Sequence, residues 1–328
     1  MHKQVVKSFA IALLLLLSGC VVVVGSPFGF LSKHPGLQET TLQGSGDDKV
    51  LLVDISGFIS DQPSSEAFGL VEKQSMLARV KAELKKAEKD DAVKALVLRI
   101  NSPGGGVTAS DEIYHLIKTY AQEAKVPVVA SLGSLAASGG YYIACSADEI
   151  LAHPTTVTGS IGVIIVGVNI KGLMDKLGVE NQSYTSGPHK DILSPLRGAT
   201  PEESEIVQGV LDALYERFVS VVQDNRPNLD ASKLSEITDG RIYAAPEAQA
   251  AGLVDGIGRL DDAIAAAKKR AGLSEAQVVT YHRDGARKES IYSKLPATPS
   301  AMQLLPFAAS LESAASPQLL YLWRPGLQ

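Results

Sequence analysis

Leu96-Val-Leu-Arg-Ile-Asn-Ser-Pro-Gly-Gly-Gly106 reads as a buried strand running into a glycine-rich loop. Residues 107–121 read as the helix that follows, with Thr108 as its N-cap. The same alternation extends in both directions. Residues 50–59 read as a strand, 70–89 as a helix, 93–100 as a strand, 126–132 as a strand, and 149–168 as strand-rich sequence. Strands alternating with helices in this way specify βαβ units and a mainly parallel sheet. Consecutive glycines at a strand end can aim backbone N–H groups at an oxyanion. The competing readings are a plain turn and a phosphate-binding loop, but the Gly-Lys-Ser/Thr of a Walker-type loop is absent.

A second stretch, Ser134-Leu-Ala-Ala-Ser-Gly-Gly-Tyr-Tyr142, places Ser138 among alanines and glycines between a strand-like and a helix-like run. A strand that turns sharply into a helix holds a serine hydroxyl at the first helical turn. Free N–H groups and the positive end of the helix dipole lie beside it. Small neighbours let a substrate backbone come close. That suits nucleophilic attack on a carbonyl; the alternative is a tight packing turn. A third stretch, Tyr184-Thr-Ser-Gly-Pro-His-Lys-Asp-Ile192, isolates Lys190 among turn residues. Serine needs a base to take its proton. Lysine serves if burial lowers its pKa from about 10.4 to near 7–8; otherwise Lys190 is a solvated loop residue.

Together these pieces resemble the signal peptide peptidases of the S49 serine peptidase family, over roughly residues 50–273. The motifs that carry the likeness are Asn101-Ser-Pro-Gly-Gly-Gly106, the 133–142 segment, Gly159-Ser-Ile-Gly162 and Ser186-Gly-Pro-His-Lys-Asp191. The resemblance implies a ClpP/crotonase-like α/β fold of repeated ββα units in a single catalytic domain. It implies Ser138 as nucleophile and Lys190 as general base, at the spacing of the family's short form. Ser160 matches the hydroxyl that orients the lysine, and Gly105 the oxyanion glycine; the Gly139 amide is a second plausible donor. Pro188 departs from the small residue many relatives carry and stiffens the loop before the base. The resemblance also implies a homo-oligomer, an octameric ring in the short form, with Ser138 of one protomer meeting Lys190 of its neighbour. The expected substrates are hydrophobic peptides, including signal peptides left in the membrane, with no cofactor and no metal.

Composition narrows the alternatives. The 328 residues are 45% hydrophobic and 20% charged with net charge −5, which is ordinary for a protein with a proper core. No basic stripe interleaved with aromatics suggests nucleic acid, and no His/Cys cluster has metal spacing. Cys145 reads as a core thiol. A Ser-His-Asp arrangement using His189 or His153 is a minor alternative. Two rivals from other classes are a crotonase-like acyl-CoA enzyme and a catalytically inactive membrane scaffold.

The ends read differently from the body. Residues 1–25 are a targeting or anchoring segment. Lys3 and Lys7 precede an apolar run, and Leu17-Ser-Gly-Cys20 resembles a lipobox in which Cys20 is lipidated. The alternative is an uncleaved helix over residues 9–24, just short of the roughly 17–25 residues a span needs. Either way the basic end stays cytoplasmic, and the catalytic domain lies outside the bacterial cytoplasmic membrane. Residues 26–48 read as a flexible tether, 49–273 as the peptidase domain, and 274–328 as a loosely ordered Pro/Ala-rich tail. Within the body, Thr200-Pro-Glu-Glu203 is a capping box. The stripe Ile206, Val207, Val210, Leu211, Leu214, Phe218, Val221 and Val222 is core or subunit interface.

Overall fold

The computed structural model describes residues 36–66, 71–283, 290–292 and 319–323. The chain opens with β1 (Gln38–Gln43), β2 (Lys49–Ser56), and the antiparallel pair β3 (Ser64–Glu66) and β4 (Val71–Lys73). Then come α1 (Met76–Ala87), β5 (Val93–Ser102), β6 (Gly104–Gly106), α2 (Val107–Ala124), β7 (Val128–Ala137) and α3 (Gly139–Ala144). The short strands β8 (Glu149–Ala152), β9 (Val157–Gly159) and β10 (Ile164–Ile165) lead to α4 (Lys171–Leu177) and the long α5 (Pro201–Asn225). The chain closes with α6 (Leu234–Ile237), β11 (Ile242–Ala244), α7 (Ala245–Ala250), β12 (Gly256–Ile257), α8 (Leu260–Arg270), β13 (Gln277–His282) and β14 (Leu319–Leu322).

The main sheet runs β1-β13-β2-β5-β7-β8-β12. Every pairing along that path from β13 to β12 is parallel, as is β7–β9; the edge pair β1–β13 and the off-path pair β9–β11 are antiparallel. A parallel sheet is covered on both faces, so its strands are apolar at successive positions. In β5, Leu96, Leu98 and Ile100 face the layer that holds α1, α2 and α3. Ala95 and Val97 face the opposite layer, formed by Leu260, Ala263, Ile264 and Ala267 of α8. The result is a single mixed α/β domain.

Several boundaries differ from the sequence reading. The Gly106 backbone, not Thr108, stands at the N-cap of α2, with no side-chain cap. The expected helix over residues 70–89 begins only at Met76, where the Ser75 hydroxyl accepts the Ala78 N–H at 3.2 Å. The expected tether reaches into the sheet, because β1 pairs with β13 across the length of the chain. The expected tail likewise contributes β13 and β14. Residues 1–35, including Cys20 and both anchor readings, and most of the rest of the tail lie outside the described residues. Among the described residues, no helix is long and apolar enough to cross a membrane.

Candidate active site

The site forms where β7 changes partner within the main sheet. β7 pairs with β8 through Leu132, then with β9 from Leu135 to Ala137. Its pairing with β5 slips between Ile100 and Ser102. At that slip the Asn101 side chain accepts the Leu135 N–H at 3.1 Å, standing in for a ladder acceptor. Beyond the slip, β7 runs on beside β9 to Ser138.

Ser138 sits at the turn from β7 into α3. Its backbone is held at φ 52°, ψ −117°, a conformation that costs a non-glycine residue of order 1–3 kcal/mol and persists only where its surroundings enforce it. Two bonds enforce it: Ser138 N–H donates to the Gly159 carbonyl (2.8 Å), and Tyr142 N–H donates to the Ser138 carbonyl (2.8 Å). Ser138 is 1% exposed. Ser160 follows β9 as Ser138 follows the paired end of β7, and it too has positive φ, 50°. The two serines therefore end neighbouring parallel strands side by side. Ser160 N–H donates to the Arg241 carbonyl at 2.7 Å.

The glycine loop is braced on both sides. The Ser102 hydroxyl donates to the Gly57 carbonyl (2.6 Å) and accepts the Gly104 N–H (3.0 Å). Ile59 N–H donates to the Gly104 carbonyl, and Gly106 N–H to the Ile59 carbonyl. At Gly105 a Cβ would stand 2.0 Å from the Ile59 oxygen, so only glycine allows this approach. The expected strand end is thus itself a short strand, β6, with Ile59 on one side and β14 on the other. Gly139 opens α3, where the first-turn N–H groups have no partner within the helix. The nitrogen of Gly139 lies 2.9 Å from where a Gly104 Cβ would be, so the two expected oxyanion donors come from adjoining backbone.

Lys190 is placed differently from the expectation. Its side chain is exposed in its own chain, so burial within one chain does not supply the desolvation a basic lysine needs. Among the described residues, no hydrogen bond or ion pair joins Lys190 to Ser138 or Ser160. Its loop is nonetheless firmly held. Arg197 grips Asp191 through Nε (2.7 Å) and Nη2 (2.6 Å), and Glu203 through Nη1 (2.7 Å). Glu203 in turn closes the capping box of α5, with Thr200 N–H on Oε2 (2.9 Å) and the Thr200 hydroxyl on its own N–H (3.1 Å). The Arg197 guanidinium, followed by the Thr200 N–H, holds the Glu203 carboxyl down at about 2. Arg197 likewise lowers Asp191.

The two histidines weighed for a triad point elsewhere. His153 contacts Thr155 and Arg259, and His189 lies near Glu202 and Glu203. Cys145 is fully buried, as expected. The α5 stripe divides: Phe218, Val221 and Val222 are core, whereas Ile206 (43%) and Val210 (45%) are exposed. Sequence reasoning missed Asn101, Ile59 and the Arg197–Glu203 clamp. For the clamp, the capping-box glutamate was visible, but nothing local named its arginine.

The model of peptidase family S49 matches residues 120–274, and that of the Clp protease family matches residues 68–157. Over 257 residues the chain is 40% identical to an Enterococcus faecium protein named as a signal peptide peptidase SppA, spanning 78% of this chain and 73% of that one. Identity to protease 4 of Salmonella typhi is 35%, over 72% of this chain and 38% of the relative. Identity to the chloroplastic serine protease SPPA of Arabidopsis thaliana is 31%, over 76% of this chain and 36% of the relative. A relative this similar, matched over most of both chains, sets aside the acyl-CoA alternative: the chain belongs to peptidase family S49 and is a serine peptidase.

Proposed function

We propose that the protein is a membrane-anchored endopeptidase that cuts hydrophobic peptides, remnant signal peptides among them, by a Ser138–Lys190 mechanism completed between protomers. The observation that carries this reading is the strained, backbone-locked Ser138 beside the Gly105 loop, with Lys190 exposed on its own chain. In this scheme the neutral Lys190 amine takes the proton from the Ser138 hydroxyl as Oγ bonds to the scissile carbonyl carbon. The oxygen becomes an oxyanion held by the Gly105 and Gly139 N–H groups, the largest single stabilisation in such reactions. The C–N bond then breaks, Lys190 returns the proton to the leaving amine, and water repeats the sequence to release the acid. Ser160 orients the lysine.

Burial of Lys190 against a neighbour supplies the desolvation that one chain lacks. The exposed Ile206 and Val210 on α5 give that neighbour an apolar surface, consistent with a closed ring such as an octamer. Residues 1–25 hold the assembly at the bacterial cytoplasmic membrane, by Cys20 lipidation or by an apolar helix, with the catalytic domain on the outer side. A fluorophosphonate probe tests the chemistry. It is expected to label the wild-type chain on Ser138 and to leave Ser138→Ala unlabelled and without cleavage. A Ser138→Ala protein that still cleaves would refute the assignment, and an intact chain that never labels would favour the inactive scaffold.

A further inference from the structure

β7 is longer than the stretch of β5 it faces. The two strands pair one for one from Leu96 with Val128 to Ile100 with Leu132, and the next pair is Ser102 with Ala136. Asn101 alone therefore stands opposite Gly133, Ser134 and Leu135, so β7 carries a bulge of two extra residues. Continued one for one, the pairing would set Ser102 against Ser134 instead of Ala136. With the bulge, Ser138 comes two residues beyond the level of Ser102; without it, four. At about 3.3 Å per residue, the bulge draws Ser138 back toward the glycine loop by roughly 6–7 Å.

A bulge leaves its extra residues without ladder partners. Here two side chains stand in, one from each side of β7. Asn101 Oδ1 accepts the Leu135 N–H at 3.1 Å. Thr156, between β8 and β9 and 1% exposed, donates its hydroxyl to the Gly133 carbonyl at 2.6 Å. Gly133 makes room for this, because a Cβ there would stand 3.1 Å from Asn101 Oδ1 and 3.2 Å from Asn101 Cβ. The same stretch of β5 fixes the other half of the site. The Asn101 carbonyl accepts the Gly57 N–H at 3.0 Å, and the Ser102 hydroxyl braces both Gly57 and Gly104. Nucleophile and oxyanion loop are thus both held from residues 101 and 102.

We propose that Asn101 and Thr156 are positioning residues for the reaction: they hold β7 in the bulged register that sets Ser138 level with the Gly105 loop. The proposal rests on the catalytic reading of Ser138 and Gly105. Both residues act through the backbone of β7. Register is ordinarily fixed by which face of a strand is buried, since a slip of one residue turns every side chain to the other face. A slip of two leaves each side chain on its own face. Burial therefore does not choose between the bulged and the regular register, and the choice falls to the two side chains that bond the bulge.

The test compares full-length chains well below their melting temperatures. Asn101→Leu keeps the bulk of the side chain and removes the acceptor, whereas Asn101→Asp keeps the acceptor. Three readouts are taken: the rate at which a fluorophosphonate labels Ser138, kcat and KM for a fluorogenic apolar peptide, and hydrogen exchange over residues 133–137 by mass spectrometry. Asn101→Leu is expected to label and turn over about 10²-fold more slowly, the loss that a misplacement of about an ångström brings, with KM within about twofold of wild type. Exchange should quicken over residues 133–137 and stay unchanged in α8. Asn101→Asp is expected to recover about tenfold or more of the lost rate. Thr156→Val and Thr156→Ser repeat the comparison from the other side of β7 without adding a charge, and they decide the matter should Asn101→Leu fail to fold. A folded Asn101→Leu or Thr156→Val chain that labels at the wild-type rate overturns the proposal. So does a loss that neither Asn101→Asp nor Thr156→Ser repairs, because the lost hydrogen bond is then not its cause. A wild-type chain that never labels refutes the catalytic reading instead, while exchange over residues 133–137 still judges the hold on the bulge.

Discussion

Gly105→Ala puts the oxyanion geometry to a quantitative test. The new methyl carbon would stand 2.0 Å from the Ile59 oxygen, 2.6 Å from its nitrogen and 2.7 Å from its carbonyl carbon, whereas ordinary contact begins near 3.4 Å. All three atoms are backbone, so no side chain can swing aside and β6 must retreat by more than an ångström. That movement breaks or stretches two bonds, Ile59 N–H to Gly104 O (3.0 Å) and Gly106 N–H to Ile59 O (2.9 Å). At ~1 kcal/mol each, the stability loss is about 2 kcal/mol. The catalytic loss is larger, because the Gly105 N–H leaves the place where charge develops. Removal of one such donor costs roughly 10²–10³ in kcat. Steady-state cleavage and thermal melting, run side by side, separate the two effects, and kcat should fall much further than KM rises. Gly209→Ala is the control: a Cβ there meets nothing within 4 Å, and alanine in a helix adds about 0.5–1 kcal/mol. A folded Gly105→Ala enzyme with kcat within about twofold of wild type would refute the reasoning.

Four further outcomes follow from the structure. Arg197→Gln frees Asp191 and strands the buried Glu203 carboxylate, so the Lys190 loop loosens and kcat should fall about tenfold, as positioning losses do. Because Glu203 is held at about 2, below its ordinary 4.5, its contribution to stability is complete above pH ~5 and fades only as pH falls toward 2; melting between pH 3 and 6 should show Arg197→Gln losing more stability at the upper end of that range than in acid, and a pH-independent difference would contradict the clamp. Burial pushes the Cys145 thiol up to about 12, so iodoacetamide at pH 8 should leave the native protein unmodified and alkylate it only after unfolding, with rapid native labelling the contrary result. Lys190→Arg should be inactive at every pH at which the wild type works, because a guanidinium does not give up its proton in that range, and near-normal turnover would remove Lys190 from the role of base.

The parts of this site that were readable in the sequence are those built from neighbouring residues. The β5 apolar run, the three glycines and the Ala/Gly setting of Ser138 each declare their geometry within ten residues. The same holds for Thr200 and Glu203, whose capping box is local by nature. What escaped was long-range. β1 resembles a tether because its strand character comes from β13, at the other end of the chain. β14 is a short apolar run in a proline-rich tail, and only β6 and β10 make it a strand. Thr108 looked like a cap because its hydroxyl is the usual signal, yet the glycine strand enters α2 directly and needs none. The expected burial of Lys190 has no counterpart among the described residues of its own chain, which is the reason for seeking it between chains.

That last point is also where a single measurement reaches furthest. Ser138→Ala and Lys190→Ala are each expected to be inactive alone. Mixed one to one under conditions shown by mass to exchange subunits, they form boundaries at random. In a ring of heterologous contacts, about a quarter of the boundaries then pair an intact Ser138 with an intact Lys190. Activity should return toward that fraction of wild type, and phosphonate labelling of Ser138 should return with it. A mixture that exchanges subunits and stays inactive would contradict a dyad shared between protomers.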